Sequence, residues 1–290
     1  MGRDPPGNVP ARRASPRAGD ATVTLTHLLA TFAAGFGGGT LNAIAGGGTL
    51  LTFPALIALG LTAKDANMTS TVALWPASLA GMLGFQSHLE GTRRYLVRLG
   101  VPSLVGGACG AALLLATPNP LFALLVPWLI FFSTALFMGR EAIATRFRPA
   151  PRASAEDAPR ASAEDASPGP AWWAGAMLFQ ALVGVYAGYF GAGAGILMLA
   201  VLGFLGISDI YQANGIKNYL GLCVNGVAVV AFVMHGRVAW HDVLVLAPGS
   251  VCGAWTAARL ARRVGQRTVR IAVVVIGLTI GVVMLYQIGL

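Results

Sequence analysis

Charge is missing from most of this chain, and that constrains the fold more than any other feature. Residues 21–63, 66–89, 99–139, 166–208, 218–236, 243–258 and 271–290 contain no Asp, Glu, Lys or Arg. A bilayer-spanning helix needs about 20 apolar residues, so several of these runs fit one span and the longest hold more. Overall, 56% of residues are hydrophobic and 11% charged, against about 25% charged in soluble domains. The ~10-residue alternating segments of a transmembrane β-barrel do not occur. The reading is an all-α polytopic membrane protein.

Inside these runs lie two glycine clusters. The first is Gly46-Gly47-Gly48-Thr49, leading to Pro54; the second is Gly191-Ala192-Gly193-Ala194-Gly195. Glycine weakens helices, and a break in lipid leaves backbone groups that lipid cannot satisfy. Each cluster precedes an apolar segment too short to span, Thr49–Leu61 and Ile196–Ile207. At 1.5 Å per residue these reach about 20 Å of a ~30 Å hydrocarbon core. The remaining segments expected to span are 25–45, 68–86, 99–117 and 121–139, then 172–190, 213–234, 243–258 and 271–288.

The two halves match. Ala66-Asn67 recurs as Ala213-Asn214, His88 as His235, and Gly46 and Gly48 as Gly193 and Gly195, each 147 residues later. A near-constant offset of this length indicates an internal duplication. Expected boundaries are a disordered tail 1–22, a first repeat 23–140, a linker 141–170 and a second repeat 171–290. The linker contains a tandem PRASAEDA and has no means of burying a core. Each half holds about five hydrophobic segments, four spanning and one short or re-entrant. If all cross, the second half is inverted. With the N-terminus outside, 14 of 20 basic residues fall inside when Lys217 is counted there, as the positive-inside rule expects. Merging each short segment with its neighbour would instead place the basic loops of the halves on opposite sides. Trp172 and Trp173 are placed to anchor at an interface.

The net charge of +9 lies in tail, linker and connections, which fits anionic lipid rather than nucleic acid. Cys109, Cys223 and Cys252 have neither disulfide nor zinc spacing and read as small core residues. No P-loop, HExxH helix or catalytic triad pattern is present, so neither an enzyme nor a cofactor or metal site is expected. Asn42 and Asn225 receive no role, and Glu141 and Asp242 read as solvated ends of spans. His88 and His235 read as interfacial.

The positive end of a half-helix starting at Thr49 or Ile196 would suit an anion. Around it, Asn214, Lys217 and Asn218 share one helix face at i, i+3, i+4. Asn67, Ser70 and Thr71 occupy the matching positions. Candidate binding residues are therefore Gly46, Gly47, Gly48, Thr49, Asn67, Ser70, Thr71, Gly191, Gly193, Gly195, Asn214, Lys217 and Asn218. The competing readings are close helix packing for the glycines and snorkelling to the interface for Lys217.

Two hydrophobic halves, each with a Gly-rich break, then Ala-Asn and a long span, resemble the TauE/SafE family of sulfite and organosulfur-anion exporters. The resemblance covers roughly residues 25–290 apart from the linker. The second half departs from the first in carrying Val201 where the first has Pro54. The resemblance implies a secondary transporter of a small anion in a bacterial inner membrane. Its partners would be that substrate, membrane lipids and a coupling proton or cation. An anion channel and a non-transporting membrane scaffold stay open as alternatives, as does the oligomeric state.

Overall fold

A computed structural model describes residues 25–146 and 169–260, and isolated helical positions between 274 and 286. The tail 1–22, most of the linker and most of the basic connection lie outside the described residues, and so does half of the last expected span. The described residues form helices joined by short turns, with no strand. They form α1 (Leu25–Ala45), α2 (Thr49–Ala58), α3 (Ala63–Gly84), α4 (Arg93–Ala116) and α5 (Asn119–Arg146). The second half adds α6 (Pro170–Tyr189), α7 (Ala194–Phe204), α8 (Ile210–His235) and α9 (Trp240–Leu260). Among the described residues, six helices are long and apolar enough to cross a membrane: α1, α4, α5, α6, α8 and α9. This is a multi-pass membrane protein. The seventh long helix, α3, buries a polar run, Asn67, Thr69, Ser70 and Thr71.

Local chemistry sets the ends. Thr62 caps α3, its hydroxyl accepting from the Asp65 N–H at 3.3 Å, and the Asp209 carboxylate accepts from the Tyr211 N–H at the start of α8. Both are favoured N-cap residues. The short helices have 10 and 11 residues, so α2 and α7 are half-helices in length.

Polar residues expected between segments are inside helices. Lys64 and Asp65 form the first turn of α3, and Arg93, Arg94 and Arg98 the first turns of α4. Lys64 is buried and donates to the carbonyls of Leu115 and Thr117 at 3.0 and 2.8 Å, satisfying the last turn of α4. Arg94 and Arg98 lie over the Trp173 ring. Trp173 is consequently buried, and Trp172 alone of the pair is exposed as an anchor would be. Asp242 is also buried rather than solvated, because His27 reaches it from α1. Cys109 and Cys252 are exposed and Cys223 half-buried, so none is a core residue. An apolar thiol is as well suited to lipid as to the interior.

Packing follows stripes of glycine. On α1, Gly35 and Gly39 lie against the backbone of Leu246 and Ser250. On α9, Gly249 and Gly253 lie against Phe32 and Phe36. The contacts advance together along both helices, so α1 and α9 run parallel. Gly106 and Gly110 of α4 meet Gly184 and Val185 of α6, again in parallel. A Cβ at Gly35, Gly39, Gly249, Gly253, Gly106 or Gly110 would overlap the facing backbone. Small residues at four-residue spacing are the standard means of close helix approach where lipid supplies no hydrophobic drive. Between these pairs α3 crosses α8 antiparallel, with Trp75 at Leu222, Gly81 at Asn218 and Phe85 at Gly215.

Candidate functional site

The two glycine breaks, 147 residues apart in sequence, meet in space. Gly46 turns the chain out of α1 at φ +71°, a conformation suited to glycine. Its Cα packs on Gly195, and the Gly195 N–H points at the Gly46 carbonyl at 3.4 Å. A cavity of about 40 Å³ opens beside this contact. It exceeds the ~10–15 Å³ needed for one water, so it is scaled to a few waters or one small polyatomic ion.

Polar wall positions come from both halves. Thr71 and Ser78 on α3 face Asn218 and Asn225 on α8, and Asn42, Thr49 and Lys217 complete the polar lining. The cavity-lining residues of α3, Thr71, Leu74 and Ser78, each lie 147 positions before one of α8, Asn218, Gly221 and Asn225. The Trp75 indole N–H donates to the Leu222 carbonyl at 3.1 Å, and these two residues are also 147 apart.

Of the candidates read from sequence, Gly46, Thr49, Thr71, Gly191, Gly195, Lys217 and Asn218 line the cavity. The others stand behind it. Gly47 is pressed against the Phe137 ring, Gly48 against the Gly38 carbonyl, and Gly193 against Ser133. The Ser70 hydroxyl is hydrogen-bonded to that of Thr52. The Asn67 amide donates to the Tyr189 carbonyl at 3.0 Å, and Asn214 donates to Ile210 of its own helix. Asn42, Ser78 and Asn225 are wall residues that the sequence reading did not select. The 147-residue offset was the available signal for Ser78 and Asn225.

The breaks expose helix ends whose groups need partners. Lys217 is 2% exposed, and its ammonium donates to the carbonyls of Asn42 and Ala43, both at 2.7 Å. It therefore sits in the interior at the negative end of α1, not at the membrane surface. Asn218 adds a longer bond to Ala43. At the second break the partners are neutral. Asn67 serves Tyr189, while the Ser133 and Tyr186 hydroxyls donate to Ala192 at 2.9 and 2.6 Å. The helix starts differ too. At α7 the N–H groups of Ala194, Gly195 and Ile196 reach the carbonyls of Gly191, Gly46 and Gly193. At α2 the N–H groups of Gly47, Gly48 and Thr49 donate to no carbonyl among the described residues. The α2 start, beside the cavity, is the more available positive helix end.

Comparison with known proteins gives one family. The model for the sulfite exporter TauE/SafE family matches residues 31–284. A Haemophilus influenzae protein named "Probable membrane transporter protein" is 26% identical over 259 residues, covering 89% of this chain and 94% of its own. The Escherichia coli K12 "Probable membrane transporter protein YfcA" is 27% identical, with 86% of each chain covered. The Sinorhizobium "Probable membrane transporter protein ORF9" is 24% identical, covering 88% of this chain and 92% of its own. No solved structure matches.

Proposed function

Because the chain belongs to the TauE/SafE sulfite exporter family of membrane transporters, we propose that it is a secondary transporter of a small sulfur oxyanion, sulfite or an organosulfonate, across a bacterial inner membrane. The observation that carries this reading is the meeting of both glycine breaks at one small polar cavity. Three features of that cavity favour an anion. The N-terminal end of α2 opens on it at Thr49, where positive partial charge collects. Lys217 brings a basic side chain to its wall, and Asn218, Asn225 and Ser78 bring neutral hydrogen-bonding groups.

The two halves act as an inverted repeat around this cavity. In support, α3 and α8 cross antiparallel with wall positions at a constant offset of 147, and each parallel glycine-packed pair takes one helix from each half. Helix direction places Arg93, Arg94, Arg98 and Arg259 on one face and Lys64 and Arg237 on the other. The arginine-rich face is the cytoplasmic one by the positive-inside rule. Transport then proceeds by alternating access, the halves rocking about the site. A cavity of about 40 Å³ suits a small carrier site better than the continuous pore of a channel.

Proteoliposomes carrying the purified protein test this. Saturable flux of labelled sulfite or a short sulfonate is expected, competed by related anions. Absence of saturable flux for every small sulfur oxyanion, with the protein monodisperse, would reject the substrate class.

A further inference from the structure

A second polar cluster lies at the far end of α1 from the cavity. His27 stands in the first turn of α1, and His241 and Asp242 in the first turn of α9. The two helices run parallel on their glycine stripes, so their starts are brought together. His27 Nε2 is 3.1 Å from Asp242 Oδ1, and His241 Nδ1 is 3.9 Å from the same oxygen. One ligand atom from each of the three residues falls within 4.8 Å of the others.

We infer that His27, His241 and Asp242 form a binding site for a zinc-type divalent cation that ties the start of α1 to the start of α9. Two imidazoles and one carboxylate make a donor set that first-row divalent metals accept. Tetrahedral bonds of about 2.0–2.1 Å put ligand atoms roughly 3.3 Å apart. The His27–Asp242 separation is already close to that value. The His241 side chain, 55% exposed, has room to swing in. Three protein ligands leave the fourth position to water.

Charge points the same way. Asp242 is 6% exposed, and among the described residues no lysine or arginine pairs with it. A buried carboxylate needs compensation. Both imidazoles address the same oxygen, so one bound cation would satisfy all three groups together. The site lies on the face opposite Arg93, Arg94 and Arg98, outside the transport cavity.

Calorimetric titration of zinc chloride into the purified full-length chain tests this independently of transport. One saturable site is expected, accompanied by a rise in Tm that a chelator reverses. His27→Gln and His241→Ala should each weaken binding by roughly 10–100-fold or more, since even partners outside the metal's own shell contribute that much. His88→Ala and His235→Ala should leave it unchanged. X-ray absorption of the zinc-loaded protein should show nitrogen and oxygen ligands with imidazole scattering. Overturning results would be no saturable zinc binding by the monodisperse wild type, equal binding by the His27→Gln/His241→Ala double variant, or sulfur ligation from a cysteine.

Discussion

The two glycine breaks are alike in sequence and unlike in chemistry. Both end a long helix, start a short one and border the same cavity. At the first, the outgoing carbonyls of α1 are held by an ammonium, and the incoming N–H groups of α2 face no carbonyl. At the second, the carbonyls of Tyr189 and Ala192 are held by an amide and two hydroxyls, and the N–H groups at the start of α7 are occupied. The two breaks, alike in backbone, therefore differ in the side chains that hold them. On the proposed function, the first break meets the substrate and the second is a neutral support. Lys217 comes from the second half but serves the end of α1 in the first, so neither half holds a complete site.

This contrast can be broken most forcefully at the contact between the breaks. Gly195→Val would drive a side chain into the Gly46 backbone. Overpacking typically costs ~1–3 kcal/mol, and more is expected here because the facing atoms are backbone. A fall in Tm and loss of the monodisperse peak in size-exclusion chromatography check this. A normal profile would mean that the breaks do not touch.

Next comes Lys217→Met, which leaves the carbonyls of Asn42 and Ala43 without their ammonium. Each carbonyl keeps one partner, the Gly46 N–H and the Asn218 amide, so the cost is that of two lost hydrogen bonds, about 0.5–1.5 kcal/mol each. Asn67→Ala removes one neutral bond at the second break and should cost about 1 kcal/mol. Thermal unfolding should rank the lysine variant below the asparagine variant. Sulfite binding should weaken at least tenfold in Lys217→Met alone. Equal binding losses in the two variants would erase the distinction between charged and neutral break.

Ser78→Ala and Asn225→Ala remove wall groups at equivalent places in the two halves. Each should lower apparent sulfite affinity by several-fold and by similar amounts, as uncharged hydrogen bonds worth about 1 kcal/mol would. A large inequality would show that the 147-residue offset has no functional counterpart. Smallest of all is Arg237→Ala, which breaks a surface pair with Asp65 at 2.8 Å. Exposed pairs contribute ~0.2–1 kcal/mol and weaken with salt. Flux should be unchanged and Tm lowered slightly at low ionic strength.

Much of the fold was legible because an apolar run needs no partner to declare itself. The charge-free stretches gave α1, α5, α6 and α8 to within a few residues at their starts. The short lengths of α2 and α7 followed from the glycines before them. Helix starts at Lys64 and Arg93 were missed because charge was read as interruption, although both residues favour helix and reach polar groups from it. The site was legible in outline only. Thr71 and Asn218 were found by face, but Asn42, Ser78 and Asn225 are single polar residues in apolar runs, indistinguishable locally from interhelical hydrogen-bonding groups. The burial of Asp242 depends on His27, 215 residues away, and nothing near Asp242 announces it. Hydropathy also fails to separate lipid-facing from buried positions, as the exposed Cys109 and Cys252 illustrate.

On the proposed function, the cavity between the breaks selects an anion by charge. Asn225 lines that cavity, and Asn225→Asp changes its charge with almost no change of shape. Equilibrium sulfite binding to purified Asn225→Asp, measured beside Asn225→Ala, tests the claim most directly. The aspartate should abolish saturable binding where the alanine only weakens it, with both proteins monodisperse. Wild-type sulfite affinity in Asn225→Asp would rule out charge selection at this cavity and move the anion site elsewhere.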